Sequence, residues 1–208
     1  MVSFDFIILL GDHLGIAAFA ISGFIVAEKK EMDIFGSIVL ATVTAVGGGT
    51  IRDILLANKP VFWIDDPSFL ATTLIVSLVT SVYVHFYRLP KSVLVFFDAI
   101  GLSFFTVFGT KLALGLGVNG IIAGILGMIT GVFGGVIRDV LAGEIPLIMK
   151  REIYATAALL GGVLYWLMVL LQMSESVAYL IAVLLIMTFR FAAIIWNMSL
   201  PVPKIQKG

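Results

Sequence analysis

Two arginine–aspartate pairs hold the chemical interest of this sequence. Arg52-Asp53 follows Gly47-Gly48-Gly49, and Arg138-Asp139 follows Gly134-Gly135, each inside a long apolar stretch. Asp12, Asp98, Lys111 and Arg190 sit in similar apolar surroundings. Charges at such depth cost a few kcal/mol each unless they are paired or reached by water, so they mark an ion path or a buried pair. Other chemistry is poorly represented. There is no cysteine, so thiol and disulfide chemistry are out, and the two histidines, His13 and His85, lie too far apart to make a metal-ligand cluster. No nucleotide loop or nucleophile motif appears, and an enzyme is not expected.

The two motifs belong to a repeat. At a constant offset of 86 positions, Asp12 falls on Asp98, Gly15 on Gly101, Phe19 on Phe105, Gly23 on Gly109, Thr44 on Thr130 and Pro60 on Pro146. A fixed offset over this length means two copies of one unit.

The elements that carry the motifs follow from composition. The 208 residues are 61% hydrophobic and 12% charged, with a formal net charge of zero. A soluble domain carries about 25% charge, so the chain reads as an all-α integral membrane protein. Zero net charge gives no reason to expect nucleic acid as a partner. Apolar runs of about 20 residues predict seven transmembrane helices. They are Phe6–Ala27, Ile34–Leu56, Phe69–Tyr87, Val93–Leu114, Ile121–Leu141, Ile153–Leu171 and Val177–Met198. No Lys or Arg precedes Lys29, so the first run lacks the basic start of a cleaved signal peptide. Lys29, Lys30, Arg88, Lys91, Lys150, Arg151, Lys204 and Lys207 share one side of the membrane, against Lys59 and nearby Lys111 on the other. Basic loops are cytoplasmic. The N-terminus is therefore expected outside and the C-terminus in the cytoplasm.

An odd number of spans per copy inverts the second copy. Residues 1–86 and 87–172 are read as two inverted three-helix repeats, and residues 173–208 as a seventh helix and tail. Clustered glycines in spans two and five invite a break near the midplane, since each costs about 1 kcal/mol of helix propensity against alanine. Broken helices there would line a cavity, with Gly47, Gly48, Gly49, Gly131, Gly134 and Gly135 at the constriction. The competing reading is close helix packing through small residues. A break would free carbonyls near Val46 and Phe133 for a cation and amides at Thr50 and Val136 for an anion. It would also let Thr50 and Asp53 act as an N-terminal cap.

Consecutive helical residues point about 100° apart, so Arg52 and Asp53 are not expected to face each other. By depth along the helices, Asp12 matches Arg52 in the outer half and Asp98 matches Arg138 in the inner half. Two intramembrane ion pairs follow, Asp12–Arg52 and Asp98–Arg138. Asp53 and Asp139 are then left at the outer and inner mouths. Lys111 faces the outer half, and its repeat mate is Ile25. It is either a gating charge or a snorkelling anchor. Arg190 is expected to pair or to snorkel inward.

With both glycine–arginine–aspartate motifs in one chain, the sequence resembles the trimeric intracellular cation channel family in its prokaryotic members, a group also catalogued as glycine transporters. The resemblance covers nearly the whole chain. It implies a homotrimer in membrane lipid, with one pore per protomer narrowed where spans two and five bend. It implies passage of potassium and other monovalent cations, and a gating role for a basic residue in span four, here Lys111. No cofactor is expected beyond permeant K+ or Na+ and bound lipid. The second motif departs in reading Phe133-Gly134-Gly135. A secondary transporter of glycine or another small solute is the alternative, because inverted repeats and broken helices also build carriers.

Overall fold

The computed structural model describes residues 4–87, 89–150, 153–196, 198 and 199, with no side-chain description at 4, 5 and 91. Of the basic residues counted for orientation, Arg88, Arg151, Lys204 and Lys207 lie outside these residues, as does the Lys91 side chain. Within them the chain is all-helical. Helix α1 spans Phe4–Lys29, α2 Ile34–Leu55, α3 Phe62–Asp65, α4 Ser68–Phe86, α5 Lys91–Gly115, α6 Gly120–Leu141, α7 Ala155–Leu170 and α8 Glu175–Ile195. A short 3-10 turn covers Leu147–Met149.

Six of these helices are long and apolar enough to cross a membrane, and α7 is a shorter apolar helix of 16 residues. Each of the seven apolar runs expected from sequence thus forms a helix, six of them long enough to span, in a multi-pass integral membrane protein. Apolar side chains such as Phe35, Ile54, Val79, Phe86, Leu160 and Ile195 point out of the bundle, where lipid replaces water as solvent. Asp33 and Asn119 start α2 and α6 by accepting hydrogen bonds from the Gly36 and Ile121 amides at 2.6 and 3.1 Å.

The repeat extends to how helices stop. Glu31 and Gly117, and Ala57 and Gly143, stand at matched positions after matched helices, and all four have positive φ. Glycine takes this conformation freely, whereas Glu31 and Ala57 hold it with a side chain.

The expected breaks are corrected. Helices α2 and α6 run without interruption through Gly47–Gly49 and Gly134-Gly135. The glycines are there because the two helices cross at backbone contact. A methyl group at Gly48 would meet the Thr130 carbonyl oxygen, and one at Gly134 would meet the Thr44 carbonyl oxygen. These contacts are reciprocal under the 86-residue offset. So are the stack of Phe19 on Phe105, at 5.5 Å between ring centres, and the hydroxyl bonds from Thr44 to Leu40 and Thr130 to Leu126, at 2.6 and 2.7 Å. The two halves meet face to face along this line, as inverted repeats do.

Candidate functional site: two buried arginines across the helix crossing

Arg52 and Arg138 are fully buried, and each turns back along its own helix to the next residue. Arg52 donates from Nε and Nη2 to Asp53 Oδ1 at 2.9 and 2.7 Å. Arg138 donates from Nε to Asp139 Oδ1 at 2.8 Å. The expectation that neighbours cannot face each other is therefore corrected. It holds for the Cβ directions, but the long arginine side chain folds sideways and brings its guanidinium to the carboxylate.

The two sites then diverge. Arg138 Nη1 donates to Asp98 Oδ1 at 2.7 Å and to Ser22 Oγ, on the other repeat, at 2.9 Å. The structure thus places Asp98 and Arg138 in an ion pair. At the matched position beside Arg52 stands Phe108 in place of Ser22. The Arg52 guanidinium lies 5.0 Å from the Phe108 ring centre and 5.4 Å from that of Phe62, cation–π distances. The expected Asp12–Arg52 pair is corrected: among the described residues no ion pair joins them. Arg52 is already held by Asp53 and two aromatic rings. Asp12 Oδ1 and Arg52 Nη1 are both buried without a hydrogen bond.

Asp53 and Asp139 fasten the loops that follow their helices. Asp53 Oδ2 accepts the Phe62 amide at 2.9 Å, and Asp139 Oδ2 accepts the Leu147 amide at 3.1 Å. Asp53 is fully buried. Asp139 lines a cavity of about 140 Å³ near one end of the bundle, with Lys29, Lys30, Arg138, Glu144 and Lys150. Lys30 Nζ and Glu144 Oε1 pair at 2.6 Å there and link the two repeats. The hydrogen bond and charge of Lys30 hold the Glu144 carboxyl below the usual carboxylate range.

Thr50 is no cap, because it lies inside a continuous helix. Its hydroxyl donates to the Val46 carbonyl at 2.8 Å and accepts from Trp63 Nε1 at 2.9 Å. The cation site near Val46 and Phe133 and the anion site at Thr50 and Val136 are withdrawn with the breaks that would have created them. Gly47 lies against the tip of Ile137, Gly49 against the Phe62 ring, Gly131 against Thr106 and Gly135 beside Asp98, Tyr154 and Arg138. Lys111 is half-buried on α5, and its charge acts on Asp12. Arg190 is buried; it donates to the Ile153 carbonyl at 2.7 Å and lies over the Tyr154 ring at 4.8 Å.

The family described as Glycine transporter matches this chain twice, at residues 9–85 and 95–170. The solved trimeric intracellular cation (TRIC) channel orthologue from Rhodobacter sphaeroides is 38% identical, with a TM-score of 0.88 over 92% of this chain and 99% of that one. The chain belongs to the TRIC family, in its prokaryotic branch. A second solved TRIC cation channel is 40% identical, with a TM-score of 0.86 over 96% of this chain and 98% of that one. The UPF0126 inner membrane protein YadS of Escherichia coli K12 is 45% identical over 196 residues, 91% of this chain and 93% of YadS. These TRIC relatives are membrane proteins and channels, and the chain is not an enzyme.

Proposed function

We propose that this TRIC chain is a monovalent cation channel, permeable to potassium, built as a homotrimer with one pore in each protomer. The observation that carries the reading is the match along nearly the full length to solved cation channels at 38–40% identity. The path runs from the outer half, beside Asp12 and Lys111, past the crossing of Gly48 and Gly134, to the cavity lined by Asp139. The outer constriction lies at Gly47, Gly49 and Asp53, the inner one at Gly131 and Gly135. Each buried arginine is neutralised by a carboxylate, which keeps the path from presenting bare positive charge to a cation. The Asp98–Arg138 pair holds the inner half shut, and Lys111 biases the outer half by its charge. The protein sits in the inner membrane with the basic cavity toward the cytoplasm, the N-terminus outside and lipid around the trimer.

The family description favours a glycine carrier as the second reading. Against it, the broken-helix amides that would hold a carboxylate are bound inside continuous helices. Proteoliposomes loaded with K+ and supplied with a proton carrier decide between them. The channel reading expects K+ efflux that tracks the K+ gradient and is indifferent to glycine. Saturable uptake of labelled glycine without K+ efflux would replace it by the carrier.

A further inference from the structure

We propose that Asp12 is a proton-binding site in the outer half of the bundle, and that release of its proton recruits Arg52. The comparison of the two repeats leads there. At matched positions, Asp98 accepts from Arg138 at 2.7 Å, whereas Asp12 Oδ1 and Arg52 Nη1 each lack a hydrogen bond. Asp12 is 7% exposed and Arg52 is fully buried. An ionised carboxylate oxygen buried without a donor is costly, and a proton removes that cost. The cations nearby keep the ionised state within reach.

The groups facing Asp12 come from several helices. Arg52 on α2 and Lys111 on α5 act on its charge, with Asp53 beyond Arg52. On α8, Tyr179 feels the charge of Asp12. Its hydroxyl has no hydrogen bond and packs against Gly11. On α1 itself, His13 turns away to Thr72 of α4 at 2.9 Å and stacks on Phe69 at 4.9 Å, with Asp66 before α4 acting with it.

Proton loss leaves a carboxylate whose charge acts on Arg52, and Arg52 has an unused nitrogen, Nη1. The contact that forms is the one Asp98 already makes with Arg138. Arg52 then slides from the Phe62 ring, which covers Gly49 and whose amide is tied to Asp53. The proton at Asp12 thereby controls the seat of α3 over α2.

Infrared difference spectroscopy of the purified wild-type protein across pH tests the site without reference to ion flow. The expected result is one protonated-carboxyl C=O band that fades as pH rises. Asp12→Asn should abolish it, Asp12→Glu should shift it, and Asp98→Asn should retain it. A wild-type spectrum with no titrating carboxyl band, or a band that survives in Asp12→Asn, overturns the proposal. Should Asp12→Asn fail to fold, the wild-type titration and the Asp12→Glu shift decide alone. Under the channel reading, K+ flux rises with outer pH in wild type and is flat in Asp12→Asn. Flux that is flat in wild type beside a titrating band would refute the Arg52 step and leave the proton site standing. Absent flux in every variant would refute the channel reading.

Discussion

Gly48 has no side chain because the Thr130 carbonyl of α6 occupies the space where one would stand, and Gly134 meets Thr44 of α2 in the same way. The crossing of the two repeats is therefore fixed backbone against backbone. Neither helix can take a Cβ here without moving its partner, and both partners carry the charged motif one turn further on.

The glycines should respond unequally to alanine. Gly48→Ala and Gly134→Ala force two backbones apart and should cost about 1–3 kcal/mol or more. Gly47→Ala meets the flexible tip of Ile137 at 2.8 Å and should stay within about 1 kcal/mol of wild type, because helix propensity gains by a similar amount. Gly115→Ala faces open space and serves as the neutral control. Thermal unfolding in detergent reads all four.

The two depth-matched aspartates should also differ. Asp98→Asn strips the buried Arg138 of a charged partner and should cost about 3–5 kcal/mol. Asp12→Asn breaks no ion pair among the described residues and should fall within about 1 kcal/mol of wild type. Equal losses in the same unfolding assay would contradict the asymmetry.

Ser22 and Phe108, equivalent in the repeat, touch the opposite arginines by different means. Ser22→Ala removes a hydrogen bond to a charged group and should cost about 1.5–3 kcal/mol. Phe108→Leu removes a cation–π contact of about 0.5–2 kcal/mol. The check is a double-mutant cycle of each with its arginine, which should show coupling in both cases.

Asp53 ties the segment after α2 through the Phe62 amide. Asp53→Ala should release it. A lost bond to a charged acceptor, at about 1.5–3 kcal/mol, corresponds to amide exchange on the order of ten- to a hundredfold faster at Phe62. Hydrogen–deuterium exchange with mass spectrometry over residues 58–66 measures this.

The architecture was legible because its signals are long. Seven apolar runs, their boundaries and the inversion of the second copy rest on summed hydrophobicity and on an exact offset, neither of which one side chain can overturn. The α7 start is the one span whose first residues went elsewhere: Ile153 and Tyr154 serve Arg190. The site was legible only in which residues matter. Clustered glycines permit both a break and a tight crossing, and the choice lay in whether a second helix stood opposite. Depth put Asp12 level with Arg52, but depth contains no direction around the helix. The reach of Arg52 to Asp53, and the rings of Phe62 and Phe108 that complete its surroundings, depend on side-chain paths that spacing does not encode. Offset comparison of Ser22 with Phe108 was the available hint that the two arginine sites differ.

The central claim is that this TRIC chain conducts cations, and single-channel recording of the purified protein in planar bilayers meets it most directly. In symmetric KCl the account predicts unitary ohmic currents, and in a KCl gradient a reversal potential close to that of K+. Lys111→Gln should flatten the dependence of open probability on voltage. That dependence should be shallow in wild type, because a charge near a span end senses only part of the about 2.3 kcal/mol per 100 mV of a full crossing. Bilayers that stay silent with folded protein present, together with saturable glycine uptake in vesicles from the same preparation, would contradict the account.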